Sequence, residues 1–162
     1  MSLALLDLYR HKTWATLQLI QFCEGLDDEV LDATTPGTYG SIRETLRHIV
    51  RAEEGYFARL TGKRFMDPLP QSGAVPLADL AERIRRLGPE WEKLAADTRV
   101  QEREVTTDDG WRQKGAVIMA QAVHHADDHR THVLSVISSC GIEGPDIDVW
   151  SYADATGLVE HA

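Results

Sequence analysis

The amino-acid sequence predicts an all-α fold built on four long helices. Apolar residues recur at spacings of three and four over four segments too long to be strands. A capping-box signature, Ser41-Ile42-Arg43-Glu44, opens one segment, and a glycine follows the last at Cys140-Gly141.

In the first segment Leu5, Leu8, Ala15, Leu19 and Phe22 carry the stripe, until Gly25 and the acidic run Asp27-Asp28-Glu29 interrupt it. The second begins at the capping box, where Ser and Glu side chains satisfy otherwise orphaned backbone amides. Its stripe is Ile42, Leu46, Ile49, Tyr56 and Leu60, and it ends near Thr61-Gly62. Residues 62–76, rich in Gly and Pro, form a loop. The third helix carries Leu77, Leu80, Ile84, Leu87, Trp91 and Leu94, a register that survives Gly88-Pro89, so one helix with a kink is expected there. Residues 98–112, with Val100, Val105 and the turn signal Asp108-Asp109-Gly110, suit a short hairpin or an irregular segment. The fourth helix spans about Gly115 to Ser139. Gly144-Pro145 then turns the chain, and Trp150 and Tyr152 are expected to pin a tail onto the bundle.

A chain of 162 residues suits one domain, so a single domain over 1–162 is expected. With 43% hydrophobic and 27% charged residues, it reads as a globular protein rather than a disordered or membrane one. No stretch reaches the roughly 20 apolar residues that cross a bilayer. The start, in which Asp7 breaks the apolar stretch and positive charge follows, is the reverse of a signal peptide. A net charge of −9 without a basic cluster disfavours nucleic acid. Cys23 and Cys140 are isolated, which argues against a disulfide framework or thiolate zinc site and for a cytoplasmic protein.

Chemistry concentrates in Ala122-Val123-His124-His125-Ala126-Asp127-Asp128-His129-Arg130-Thr131-His132 on the fourth helix. Residues four apart lie one turn apart on nearly the same face, so His125 and His129 can aim at a common point. They flank an apolar arc of Ile118, Met119, Ala122, Val123, Ala126, Val133, Val136 and Ile137. The pair is read either as a chelate or as two ordinary edge histidines. His124 falls on the polar face, and His132 is adjacent to His129 but further round towards solvent. His132 is therefore a candidate supporting or substrate-side group. His48, on the second helix, shares a run with Thr45, Ala52 and Gly55 beside the apolar stripe; taken alone it reads as solvated. Zincin chemistry is set aside because Ala126 stands where a Glu would follow the first His. Asp127 and Asp128 read as solvated acids. Two charges sit where apolar residues are expected, Glu53 and Arg130. Each should find an opposite charge, the other being one option, or else reach water at a helix edge.

Leu46-Arg47-His48-Ile49 followed by His125-Ala126-Asp127-Asp128-His129-Arg130 resembles the DinB/YfiT-like superfamily, the metalloproteins rather than the DNA polymerase of similar name. The likeness extends from Tyr9–Ala15 to Pro145–Tyr152, with Thr131-His132 standing where Gly-Gln is frequent. It implies a four-helix bundle of unusual connectivity, a homodimer, and one divalent metal held by His48, His125 and His129 with positions left for water or substrate. An all-imidazole site suits zinc, nickel, copper and iron, with zinc or nickel expected. Members with assigned activities include transferases and isomerases that use a low-molecular-weight thiol. The expected function is thus a metal-dependent enzyme acting on a small-molecule substrate, thiol-dependent by resemblance. A metal-dependent hydrolase and a non-catalytic dimeric metal-binding or stress-response protein are the alternatives.

Overall fold

A computed structural model describes residues 3–107 and 110–159 of the chain. In order along the chain come α1 (Leu3–Cys23), α2 (Asp28–Leu31), α3 (Ile42–Thr61), α4 (Leu77–Ala96), α5 (Thr98–Glu102), β1 (Glu104–Thr106), β2 (Arg112–Lys114), α6 (Gly115–Ser139) and α7 (Val149–Ala155). The four long helices are α1, α3, α4 and α6. Of the two options for residues 98–112, the hairpin is the one formed. β1 and β2 pair antiparallel, Val105 opposite Gln113, after the single helical turn of α5. In the expected turn Asp108-Asp109-Gly110, the two aspartates lie outside the described residues.

The long helices form a ring in which α1 packs chiefly on α4 and α3 on α6, with α1–α6 and α3–α4 contacts closing it. Long helices consecutive in sequence, α1 then α3 and α4 then α6, therefore sit across the bundle from each other. Such crossings need more chain than a tight turn. The α1–α3 and α4–α6 connections supply it, one carrying α2 and the other α5 with the hairpin.

Local signals behave as physical chemistry dictates. The Ser41 side chain accepts from the Glu44 amide and the Glu44 carboxylate accepts from the Ser41 amide, completing the capping box of α3. At the end of α6, Gly141 takes φ +76°, and the amides of Gly141 and Ile142 bond back to Ser138 and Ile137. Both bonds satisfy carbonyls that the helix end would orphan. α4 runs unbroken through Pro89, and the preceding Gly88 lets α1 approach closely: a Cβ there would stand 2.6 Å from Thr13 Cγ2.

Two stripes differ from the sequence reading. In α1 the buried face is Leu6, Tyr9, Lys12, Ala15, Thr16, Leu19, Ile20 and Cys23, while Leu8 is exposed and Leu5 and Phe22 half-buried. In α3 the face continues from Ile49 through Glu53 to Phe57, and Tyr56 is half-buried instead. The cause is common to both. A stripe traced through apolar residues alone skips the buried polar positions Lys12, Thr16 and Glu53, and so drifts round the helix.

Glu53 pairs with Lys12 rather than Arg130. Their side chains are only 3% and 0% exposed, so α1 and α3 are joined across the bundle by an ion pair. The Lys12 ammonium also lies 5.0 Å from the Trp91 ring centroid and 5.5 Å from that of Tyr9. Burial drives its pKa down, against the pull of Glu53. Arg130, likewise buried, donates to the Thr16 hydroxyl at 3.1 Å, the Lys12 carbonyl at 3.3 Å and the Asp127 carboxylate at 3.3 Å. Asp127 is thus a largely exposed acid with a partner, not a freely solvated one. Along α1 and α3 the ion pair falls between two apolar clusters, one around Leu19, Leu46, Ile84 and Ile137, the other around Tyr9, Phe57, Trp91 and Met119.

The tail is pinned by Tyr152, not by Trp150. Tyr152 meets the His11 and Trp14 rings edge-on at 5.8 and 5.7 Å, and His11 Nε2 bonds the Ile147 carbonyl at 2.8 Å. Trp150 is 76% exposed, because residues two apart on a helix point to nearly opposite faces. No helix among the described residues is long and apolar enough to cross a membrane.

Candidate metal centre

The α3–α6 pairing sets His48 against His125 and His129. The three ring centroids are separated by 4.8, 4.6 and 4.4 Å, and one nitrogen of each ring lies within 4.8 Å of those of the other two. Among the described residues the group has no fourth His, Cys, Asp or Glu donor. His129 is buried, the other two half-buried, and His124 exposed and outside the group.

His48 Nε2 and His125 Nε2 face each other at 2.9 Å. Two imidazole lone pairs so close repel unless a proton or a cation lies between them. The Nε2–H of one neutral ring can supply that proton, whereas a charged imidazolium is disfavoured here. Burial, then the proximity of His129 and His48, pulls His125 down to about 4, and burial followed by Arg51 lowers His48. Burial, His48 and His132 lower His129. Neutral imidazole is the form that ligates a metal. Two nitrogens on one tetrahedral ion at about 2.05 Å would stand about 3.3 Å apart, so the His48–His125 pair would need to open by only a few tenths of an ångström to share one.

His132 supports the group. Its Nδ1 lies 3.3 Å from His129 Nδ1. If His129 donates that proton, its Nε2 keeps a free lone pair, the tautomer a ligand needs. Asp128 is exposed, yet with His129 and His132 it forms a second close set of donor atoms. Among the described residues His125 Nδ1 is buried without a hydrogen-bond partner.

Tyr39, which the sequence reading missed, covers the centre. Its ring stacks on His48 at 4.1 Å, 17° from parallel, and meets His129 edge-on at 5.0 Å. It sits in an irregular connection with no periodicity to announce it; a Tyr between Gly37 and Gly40 was the available signal. Tyr56, displaced from the core, meets His125 edge-on at 5.6 Å.

The family model for the DinB family matches residues 1–161. The chain belongs to the DinB family. Among solved structures, a DinB-like protein from Bacillus cereus ATCC 10987 superposes with a TM-score of 0.69 at 16% identity, covering 88% of this chain and 94% of the other. At that identity the likeness carries the fold of this DinB chain alone. No curated protein matches it in sequence.

Proposed function

We propose that His48, His125 and His129 hold one divalent ion, zinc or nickel, and that this DinB protein is a metal-dependent enzyme acting on a small molecule. The facing Nε2 atoms of His48 and His125 at 2.9 Å, with His129 completing a group of low basicity, are the observation that carries the reading. A divalent ion there supplies Lewis acidity and lowers the pKa of a water or thiol that reaches it. Three protein donors leave a position for such a ligand. The chain's own groups orient and enclose: His132 fixes the ring of His129, while Tyr39 and Tyr56 wall the centre on two sides. Thiol-dependent transfer or isomerisation is favoured over hydrolysis by the family resemblance, a warrant of analogy.

Elemental analysis of tag-free protein should find about one equivalent of metal. Titrating a cobalt-substituted sample with small thiols should then change its visible spectrum, since a thiolate ligand alters the ligand field. Activity without added thiol, rising through an apparent pKa near about 7, would identify a hydrolase instead. Neither response across a broad panel, with unfolding on chelation, would make the metal structural.

We further propose a single domain over 1–162 that forms a homodimer in the cytoplasm. Family resemblance and the exposed Val149 and Trp150 of α7 support the dimer; two free cysteines support a reducing compartment. Light scattering at several concentrations tests the assembly.

A further inference from the structure

The histidine centre does not account for a cleft of about 520 Å³ that opens one helical turn further along α3. Arg51, three residues after His48, lines its near end, and its charge reaches the His48 ring. Arg59 follows two turns on. Its guanidinium lies 5.9 Å from the Tyr56 ring, which in turn abuts His125. The loop after α3 adds Lys63, Arg64 and Phe65, while Gly55 contributes no side chain to the wall. α3 thus carries cations from beside His48 into the cleft, and its Tyr56 links Arg59 to His125 of α6.

Four cations without a carboxylate partner among the described residues line this one cleft of an otherwise acidic molecule. In a chain of net charge −9, Arg10, Arg43, Arg85, Lys93, Arg99 and Arg112 all pair with carboxylates at the surface. Among the described residues Arg51, Arg59, Lys63 and Arg64 have no such pair. Glu54 is the acid in the cleft wall, and Arg83 already holds it at 2.6 Å. Leaving like charges clustered costs free energy, and an anionic ligand relieves that cost. Arginine is suited to the task, because its planar fork grips carboxylate or phosphate through paired hydrogen bonds.

We propose that this cleft binds a small molecule bearing a multiply charged oxyanion group, with Arg51 and Arg59 gripping that group and directing the remainder towards the His48–His125 edge. The direction of the remainder rests on reading the histidines as the reactive centre; anion binding does not. The cleft's volume falls in the range of small-ligand sites.

The test titrates the metal-free full chain with succinate, inorganic phosphate and neutral succinamide at constant ionic strength, following amide chemical shifts. Succinate or phosphate should give saturable shifts at Arg51, Gly55, Arg59 and residues 62–65, the tighter of the two identifying a carboxylate or a phosphate ligand. Succinamide should give none. Arg51→Gln and Arg59→Gln should each weaken binding about tenfold. Should either lose helicity, the loop double variant Lys63→Gln with Arg64→Gln serves the same purpose. Equal shifts with succinamide, shifts centred on Arg85 or Arg112, or unchanged affinity in folded variants would overturn the proposal. Repeating the titration on His125→Ala separates the two readings. Anion binding intact while metal loading fails in wild type would sink the metal proposal and leave this one standing.

Discussion

At the scale of single residues, the histidines divide by the face they occupy. Replacing His48, His125 or His129 with Ala should abolish binding of one equivalent of cobalt or zinc, and His124→Ala should leave it intact, as read by elemental analysis of dialysed protein. Equal loss in all four would show that position on the helix decides nothing. The buried pair gives a second prediction. Glu53→Gln leaves the Lys12 ammonium without its countercharge, so stability should fall by about 3–5 kcal/mol in urea denaturation. Replacing both, Lys12→Met with Glu53→Met, should cost much less; equal losses would mean that the pair itself contributes nothing distinctive. The cysteines differ as sharply. Burial raises the Cys23 thiol to about 12, whereas Cys140 is exposed. Iodoacetamide at about pH 8 should label Cys140 and spare Cys23 in the native protein, as mass spectrometry would show.

At the scale of elements, the entry of α3 should be pH-sensitive. The Ser41 amide and hydroxyl hold the Glu44 carboxyl below its ordinary range. A depressed carboxyl stabilises the fold above its unfolded pKa of about 4.3, and that contribution is lost as pH falls through the folded value. Glu44→Gln keeps an acceptor but loses the charge at the helix start, so it should be less stable than wild type by about 0.3–1 kcal/mol at neutral pH. The gap should close in acid, and a gap independent of pH would refute the charge argument. Gly88 tests the α1–α4 contact. Gly88→Ala gains helix propensity yet drives a methyl towards Thr13 Cγ2, so a net loss of about 1–2 kcal/mol is expected, with recovery when Thr13→Ser removes that methyl.

At the scale of the whole molecule, each of the two apolar clusters draws buried side chains from all four long helices and so joins the bundle without a metal. Removing metal with a chelator should therefore leave the far-ultraviolet circular dichroism unchanged and lower the melting temperature only by the binding energy lost. Collapse of helicity on chelation would place the metal among the fold's supports. The ring order of the helices matters here as well. Because α3 and α6 are neighbours while α1 and α3 are not, the site forms on one pair of helices and the buried ion pair ties another.

What the sequence by itself determined were the local quantities: four long helices from their period, the capping box, the glycine stop after Ser139, and the His125/His129 spacing. Each depends on residues within about two turns of one another, which is why one strand of information suffices. His48 belonged to this set through family resemblance, since its own helix gave no reason to single it out. Tertiary structure alone decided the rest. Lys12 and Glu53 could occupy core positions because helices distant in sequence brought them together, and that pairing moved the stripes of α1 and α3 away from the purely apolar trace. Tyr39 came to the histidines from an irregular connection, and Tyr152 rather than Trp150 met the bundle because a seven-residue helix presents one face. Burial and countercharge depend on which helices are neighbours, and that is fixed by packing rather than by period.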